Sequence, residues 1–230
     1  MIRLAAFDLD CTLAPHGKGI LAKNIELLKQ IEACGVQIVI CSGKPLGYLC
    51  GMFRQVELQE PIFVGEVGAR IQFGVNYPPK HVYTMPYDAQ APETLACIKQ
   101  EILQVAPHMW FQPNEINLSP FPQSEAEYTA VKDVIARNQD RLANIHIEYF
   151  SEVIDFIPKP ICKRAALEYL SDYLNISPSE MIAVGDSAND YSMFEYAATS
   201  IGIQLKEPQK VTVSVQNCTQ ALEYILSCLS

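Results

Sequence analysis

Leu4-Ala5-Ala6-Phe7-Asp8-Leu9-Asp10-Cys11-Thr12 is an apolar segment that ends in acidic residues and a hydroxyl. Its four leading apolar residues predict a buried strand, which runs into two carboxylates and a hydroxyl. Carboxylates two residues apart on an extended chain point the same way. Asp8 and Asp10 could therefore hold a divalent cation jointly while one attacks an electrophile and the other handles a proton. The same residues also suit a strand followed by an Asx turn.

The composition is that of a globular protein with a negative net charge. The chain has 230 residues, of which 49% are hydrophobic and 19% are charged, and its formal net charge is −9. This length allows a full core and an inserted second unit. Because only 17 residues are Lys or Arg, we do not expect nucleic acid or an anionic membrane surface as the main partner.

The N-terminal and cysteine patterns predict a cytoplasmic protein. Asp8 and Asp10 interrupt the first apolar stretch before a signal-peptide core is complete, and no apolar run approaches membrane-spanning length. Eight cysteines are present without a CxxC pair, so we predict free thiols. We expect a monomer or homodimer that binds a small molecule and neither membrane nor nucleic acid.

Both ends of the chain alternate strands and helices in the order that a doubly wound parallel sheet requires. Strands are predicted at 4–7, 36–40, 62–64, 181–184 and about 200–203, with helices near 22–34, 46–55, 163–174, from 191 onward and 219–229. Ligands of such a sheet bind beyond the carboxyl ends of its strands.

The middle of the chain interrupts this alternation. Its pattern predicts a helix near 92–104, strands near 109–112 and 116–119, a helix near 125–142, and strands near 145–150 and 153–157. This αββαββ order suits a small α+β unit. We therefore predict an α/β fold with a discontinuous core, residues 1–80 and 158–230, and an inserted domain, residues 81–157.

Polar clusters fall where the predicted core strands end or the core helices begin. They are Asp8, Asp10 and Thr12; Ser42 and Lys44; Lys163; and Asp186, Asn189 and Asp190. Each cluster alone also fits ordinary turn or capping chemistry. In a doubly wound sheet these positions converge on one edge, so together they predict one functional site.

In these motifs the sequence resembles the haloacid dehalogenase superfamily of phosphohydrolases. Asp8, Asp10 and Thr12 match its DxDxT signature, Ser42 its hydroxyl motif, Lys163 its lysine, and Gly185-Asp186-Ser187-Ala188-Asn189-Asp190 its acidic motif. The inserted domain resembles the superfamily's C2-type cap. Its compact form is similar to that of archaeal-type phosphoglycolate phosphatases and, more distantly, to sucrose-phosphate phosphatases, Cof-type hydrolases and phosphomannomutases.

The resemblance implies Mg²⁺-dependent hydrolysis of a phosphomonoester. Asp8 would attack phosphorus to form an aspartyl-phosphate, and Asp10 would protonate the leaving oxygen and then activate water. The metal ligands would be the carboxylates of Asp8 and Asp186 and the backbone carbonyl of Asp10. Asn189 and Asp190 would lie around them, with Asp190 holding a coordinated water or orienting the lysine.

A second group of residues would bind the phosphoryl oxygens. Thr12, Ser42 and the backbone amide of Gly43 would donate hydrogen bonds, and Lys163 would offset negative charge. Lys159 is a rival for the role of Lys163. We favour Lys163 because it begins the predicted helix.

Substrate specificity is expected to come from the cap, helped by residues at the rim of the core. The candidates are Lys44, Glu66, Asn114 and Asn117. Lys44 stands where relatives often have arginine, and Val67 stands where they have asparagine. Short polar side chains suit hydroxyls or a carboxylate, although the asparagines also fit hairpin-turn chemistry. A compact cap favours a small phosphorylated acid or sugar.

Three alternatives remain open from the sequence. A phosphotransferase would use the same Asp8 intermediate but pass the phosphoryl group to a sugar hydroxyl. A non-catalytic metabolite-binding protein would be expected to lack Asp8, Asp10 or Lys163, which are all present. A dehalogenase would not need Asp10 as a proton donor to an alkoxide.

Overall fold

A computed structural model describes residues 1–229 of the chain. Two compact units are present: Met1–Thr84 together with the chain from Lys163 onward, and Met85–Cys162. These boundaries lie four to five residues beyond the predicted ones. The first differs because Val82–Thr84 still pairs with Arg70–Phe73 in the sheet of the first unit, and the second because a strand of the second unit runs to Pro158.

The described residues form twelve strands and seven α-helices. The strands are β1 (Leu4–Asp8), β2 (Gln37–Cys41), β3 (Ile62–Gly65), β4 (Arg70–Phe73), β5 (Val82–Thr84), β6 (Trp110–Phe111), β7 (Pro120–Phe121), β8 (Ile145–Tyr149), β9 (Ile154–Pro158), β10 (Met181–Gly185), β11 (Thr199–Ile203) and β12 (Val213–Val215). The helices are α1 (Ala22–Ala33), α2 (Leu46–Phe53), α3 (Ala91–Val105), α4 (Glu125–Arg137), α5 (Lys163–Leu174), α6 (Tyr191–Tyr196) and α7 (Cys218–Ser227).

The first unit is built on an eight-stranded sheet with the order β12-β11-β10-β1-β2-β3-β4-β5. The first six strands of that order pair in parallel, and β4 and β5 add antiparallel strands at one edge. The α/β class and the parallel core are thus confirmed. The sequence analysis missed β4, β5 and β12, which are three or four residues long.

Apolar spacing explains how the helices cover this sheet. Leu27, Leu28 and Ile31 recur at helical intervals along α1, and they lie in one buried cluster with Phe7 of β1 and Leu222 of α7. A glycine at position 35, with φ of 83°, follows the C-cap of α1, where a left-handed residue is favoured. The cluster holds β1 at the centre of the sheet.

The second unit has the αββαββ order. Strands β6 and β7 form one antiparallel pair, β8 and β9 form another, and a single bridge between Leu118 and Phe156 links the segment before β7 to β9. The predicted strand at 116–119 is wrong, because only Leu118 makes a bridge there. The predicted helix at 125–142 is too long: α4 ends at Arg137, and the Asn138 side chain then donates to the Val134 carbonyl.

All eight cysteines are free thiols, as predicted. Cys41 is fully buried at the end of β2, where burial raises the pKa of its thiol to about 12. Among residues 1–229, no helix combines the length and apolar character that crossing a membrane requires.

Candidate active site

The registers of three adjacent strands bring the predicted motifs together. Asp8 at the end of β1 lies opposite Cys41 of β2, and Phe7 lies opposite Val184 of β10. The chain leaves β2 at Ser42 and leaves β10 at Asp186, so both residues follow directly beside Asp8. The convergence predicted for the carboxyl ends of the core strands therefore holds for these elements.

Lys163 joins two carboxylates at the first position of α5. Its Nζ atom donates to Asp8 Oδ1 and to Asp190 Oδ1, each at 2.6 Å. The lysine is 1% exposed. Burial disfavours its charge, but the two carboxylates outweigh burial and raise the pKa of Lys163. It is therefore a permanent buried cation beside Asp8.

The rival lysine contacts a backbone carbonyl. Lys159 belongs to the second unit, where its Nζ atom donates to the Ala143 carbonyl at 2.8 Å. The preference for Lys163 therefore agrees with the observed contacts.

Asp190 is fully buried and has partners at both carboxylate oxygens. Besides the bond from Lys163 to Oδ1, Oδ2 accepts the backbone amides of Asp186 at 3.1 Å and Ser187 at 3.2 Å. A Cβ atom at Gly185 would overlap this carboxylate. Because Gly185 has no side chain, the Asp190 carboxylate can occupy this space. Asp190 in turn orients Lys163 through their hydrogen bond.

Three carboxylates form a cluster in which a metal ion could bind. Ligand atoms of Asp8, Asp186 and Asp190 lie within 4.8 Å of one another. Burial raises the pKa of Asp8 to about 8, although Lys163 opposes the shift, and burial raises the pKa of Asp186 to about 6. Clustered carboxylate oxygens that are costly to ionise fit a hard divalent cation, whose charge would offset their repulsion.

Two predicted site residues make contacts of a different kind. The Thr12 hydroxyl donates to Asp186 Oδ1 at 2.8 Å, so in this structure it supports the carboxylate cluster. Asn189 accepts the Ser187 hydroxyl at 2.6 Å, within the turn that follows β10.

The Ser42-Gly43-Lys44 loop lies beside Asp8 and Asp10. Ser42 is 2% exposed, and its amide donates to the Val64 carbonyl at 2.9 Å. The side chain of Lys44 extends to Asp10, with 3.6 Å between Nζ and Oδ2. Asp10 itself is about one third exposed, which leaves its carboxyl accessible to a ligand.

Glu66 and Val67, in the turn that follows β3, bind this loop through hydrogen bonds. The Glu66 amide donates to the Lys44 carbonyl and the Val67 amide to the Ser42 carbonyl, each at 3.0 Å. Both residues have left-handed backbones, with φ of 53° and 58°. A β-branched residue rarely adopts that conformation. The sequence analysis considered Glu66 only for substrate contact and assigned Val67 no role. The glycine at position 68 was the available sign of a turn at these residues.

The candidate cap residues both belong to the second unit. Asn114 accepts the Gln112 side-chain amide at 2.8 Å and donates to the Ser119 hydroxyl at 2.9 Å. Asn117 is 6% exposed and lines a cavity of about 230 Å³, which Lys99 and Glu115 also line. Asn117 is thus a polar residue of a small cavity, and Asn114 lies in the neighbouring turn.

Comparison with known proteins agrees with this architecture. The sequence is 24% identical over 224 residues to a phosphoglycolate phosphatase of Staphylothermus marinus, covering 91% of this chain and 88% of that protein. It is 23% identical over 234 residues to a 5-amino-6-(5-phospho-D-ribitylamino)uracil phosphatase of Bacillus subtilis, covering 87% and 86%. The fold matches a haloacid dehalogenase-like hydrolase of Bacteroides thetaiotaomicron with a TM-score of 0.80, at 17% identity and 98% and 100% coverage.

The family follows from a match over almost the whole chain. The family model for sucrose-6F-phosphate phosphohydrolase matches residues 2–227. The match includes Asp8, Ser42, Lys163 and Asp186, and the resemblance to haloacid dehalogenase-type phosphatases is confirmed. The chain therefore belongs to the sucrose-6F-phosphate phosphohydrolase family and is a phosphatase of the haloacid dehalogenase superfamily.

Proposed function

We propose that this phosphatase is a Mg²⁺-dependent phosphomonoester hydrolase that forms an aspartyl-phosphate on Asp8. The contact between Lys163 and Asp8, 2.6 Å long and buried, supports this most directly. A phosphomonoester dianion repels an anionic nucleophile, so the site must place positive charge beside both. Lys163 supplies one such charge next to the attacking carboxylate.

The donor set favours Mg²⁺ as the metal. Asp8 and Asp186 offer carboxylate oxygens, and Mg²⁺ prefers such hard oxygen ligands. The resemblance adds the backbone carbonyl of Asp10 to this set. When bound, Mg²⁺ would neutralise charge on the carboxylates and on the phosphoryl oxygens. Asp190 would act through Lys163, because its Oδ1 atom already accepts the lysine.

The reaction would proceed in two displacements. In the first, an oxygen of Asp8 forms a bond to phosphorus while the bond to the leaving oxygen breaks, and Asp10 gives that oxygen a proton. In the second, Asp10 takes a proton from water, the water oxygen bonds to phosphorus, and the bond to Asp8 breaks. Inorganic phosphate leaves, and Asp8 and Asp10 return to their starting states.

Binding of the phosphoryl group falls to the Ser42 loop and Lys163. The Ser42 hydroxyl and the Gly43 amide would donate to phosphoryl oxygens. The Thr12 hydroxyl would join them on leaving Asp186, to which it donates in the structure. We assign the second unit, residues 85–162, the role of a substrate-specificity cap that contributes Asn114 and Asn117. The substrate would be a small phosphorylated acid or sugar, since the relatives above are named for small phosphorylated metabolites.

Trapping the covalent intermediate tests this proposal. The native protein, quenched during turnover of a phosphorus-labelled substrate, should carry label that hydroxylamine removes, as an acyl phosphate requires. Peptide mapping should place the label on Asp8, and Asp8→Asn should carry none. Asp133→Asn changes an exposed carboxylate on α4 and serves as the matched control. Label on another residue, or turnover by Asp8→Asn at the native rate, would contradict the proposal.

A further inference from the structure

Lys44 is a cation beside Asp10, the residue to which we assign proton transfer to the leaving oxygen. Its Nζ atom lies 3.6 Å from Asp10 Oδ2, and within residues 1–229 this is the one ion pair that either side chain makes. No described residue accepts a hydrogen bond from that Nζ atom. About a quarter of the Lys44 side chain is exposed. The ammonium group therefore has one loose partner and access to a ligand.

The backbone beneath Lys44 is fixed. Its carbonyl accepts the Glu66 amide at 3.0 Å, and its own amide donates to the Ser42 hydroxyl at 3.2 Å. A Cβ atom at Gly65 would come within 3.0 Å of the Lys44 carbonyl oxygen, so the two segments are packed closely. The left-handed backbones of Glu66 and Val67 keep these bonds in place. Strain of this kind persists where surrounding contacts hold it, and here those contacts are the hydrogen bonds to the loop that carries Lys44.

The phosphoryl group already has its own cation. Lys163 lies against Asp8, the proposed nucleophile, whereas Lys44 lies against Asp10, the proposed proton donor to the leaving oxygen. Asp10 must come within hydrogen-bond distance of that oxygen, so Lys44 Nζ lies within about 7 Å of it. This distance reaches substituents a few bonds beyond the ester oxygen.

We propose that Lys44 is a specificity-determining residue that binds a carboxylate on the leaving group, close to the carbon that bears the ester oxygen. The inference rests on the proposed function. It predicts that phosphorylated acids are better substrates than phosphorylated sugars. A neutral sugar in the same place would give the ammonium group no anionic partner. A carboxylate would accept a charge-assisted hydrogen bond from it.

A matched pair of esters distinguishes binding of a substrate carboxylate by Lys44 from an effect of its charge on every substrate. The pair is 2-phosphoglycolate and 2-hydroxyethyl phosphate, which differ by a carboxylate in place of a neutral hydroxymethyl group. With Mg²⁺ present, Lys44→Met should lower kcat/KM for 2-phosphoglycolate by about ten- to a hundredfold. The loss for 2-hydroxyethyl phosphate, which reports only the contact of Lys44 with Asp10, should be about tenfold smaller, and Lys44→Arg should recover much of the difference.

Control variants and other outcomes keep the test decisive. Lys29, on α1, forms an exposed ion pair with Glu57. Lys29→Met removes the same charge there and should leave kcat/KM for both esters unchanged. Equal losses on both esters, no loss on either, or a native preference for the neutral ester would overturn the role of Lys44. Failure of the native protein to hydrolyse either ester or an aryl phosphate would instead overturn the proposed function, and this inference with it.

Discussion

Lys163 and Asp190 form a fully buried ion pair: Nζ lies 2.6 Å from Oδ1, and neither side chain is exposed to solvent. Charges taken out of water are costly unless every one of them has partners. Here the second carboxylate oxygen of Asp190 accepts two backbone amides, and the lysine also contacts Asp8. The pair therefore ties α5 to the turn after β10 and fixes the cation beside Asp8.

Removal of Asp190 should destabilise the protein strongly. Asp190→Ala leaves the Lys163 ammonium with one carboxylate partner and frees two amides, which should cost about 3–5 kcal/mol of unfolding free energy. Urea denaturation would measure the change, with the exposed substitution Asp133→Asn expected to have almost no effect. A loss below about 1 kcal/mol, the range of surface ion pairs, would show that the buried pair does not hold the fold together.

Gly185→Ala should disturb the same pair without removing a charge. The new methyl group would overlap the carboxylate of Asp190, and overpacking of this kind costs about 1–3 kcal/mol. Displacement of Asp190 would also move Lys163, so phosphatase activity should fall with stability. Gly51→Ala offers a matched control, because a Cβ atom there meets open space on α2. Native activity in Gly185→Ala would mean that Lys163 does not depend on this position of Asp190.

Cys11→Gly should stabilise the protein. Cys11 is exposed and has φ of 63°, a left-handed conformation that costs a non-glycine residue free energy in the folded state. After the added freedom of glycine in the unfolded chain is subtracted, the expected gain is about 0.5–1 kcal/mol. Cys34→Gly is the control, since exposed Cys34 has φ of −78° and gains nothing from glycine. Urea denaturation would measure the unfolding free energy of both variants. Equal changes in the two would refute the backbone strain at Cys11.

The stability of the metal-free protein should rise as pH falls from about 8 towards 4. Burial raises the pKa of Asp8 from 3.8 to about 8 and that of Asp186 from 3.8 to about 6. The folded state therefore binds protons that the unfolded state has released, and this contribution is lost as pH rises through the folded-state values. A divalent cation would favour the ionised forms and weaken the trend.

Thermal unfolding of chelator-treated protein between pH 5 and 9 checks this dependence. Native protein should show a higher Tm at lower pH, and the double variant Asp8→Asn with Asp186→Asn should show a weaker slope. Identical slopes in the two proteins would assign the dependence to other groups. Added Mg²⁺ should raise the Tm of native protein most at high pH.

The strongest sequence patterns predicted the central strands and failed at the sheet edge. β1, β2, β3 and β10 are nearly continuous apolar runs, as strands buried on both faces should be. β4 mixes charged and apolar residues, and its buried Gln72 is accommodated because its side chain donates to the carbonyls of Gly74 and Asn76. Such compensation involves specific partners that no periodicity encodes.

The sequence predicted where the motifs lie in the fold but not the contacts that support them. Motif order placed Asp8, Ser42, Lys163 and Asp186 at strand ends or helix starts, and parallel pairing brings such positions together. The left-handed backbone of Val67 contradicts local preference. Hydrogen bonds to the distant Ser42 loop hold it, and such non-local bonds are invisible in the sequence around residue 67.

Phosphate release with and without Mg²⁺, in native protein and in Asp8→Asn, is the decisive measurement of whether this protein is a metal-dependent phosphatase that uses Asp8. The panel consists of small phosphorylated acids and sugars and an aryl phosphate, with a sugar acceptor added in parallel to detect transfer. We expect Mg²⁺-dependent release that a chelator abolishes and that Asp8→Asn lacks while remaining folded. Release that survives in Asp8→Asn, or no release from any ester by folded, metal-loaded native protein, would contradict the account.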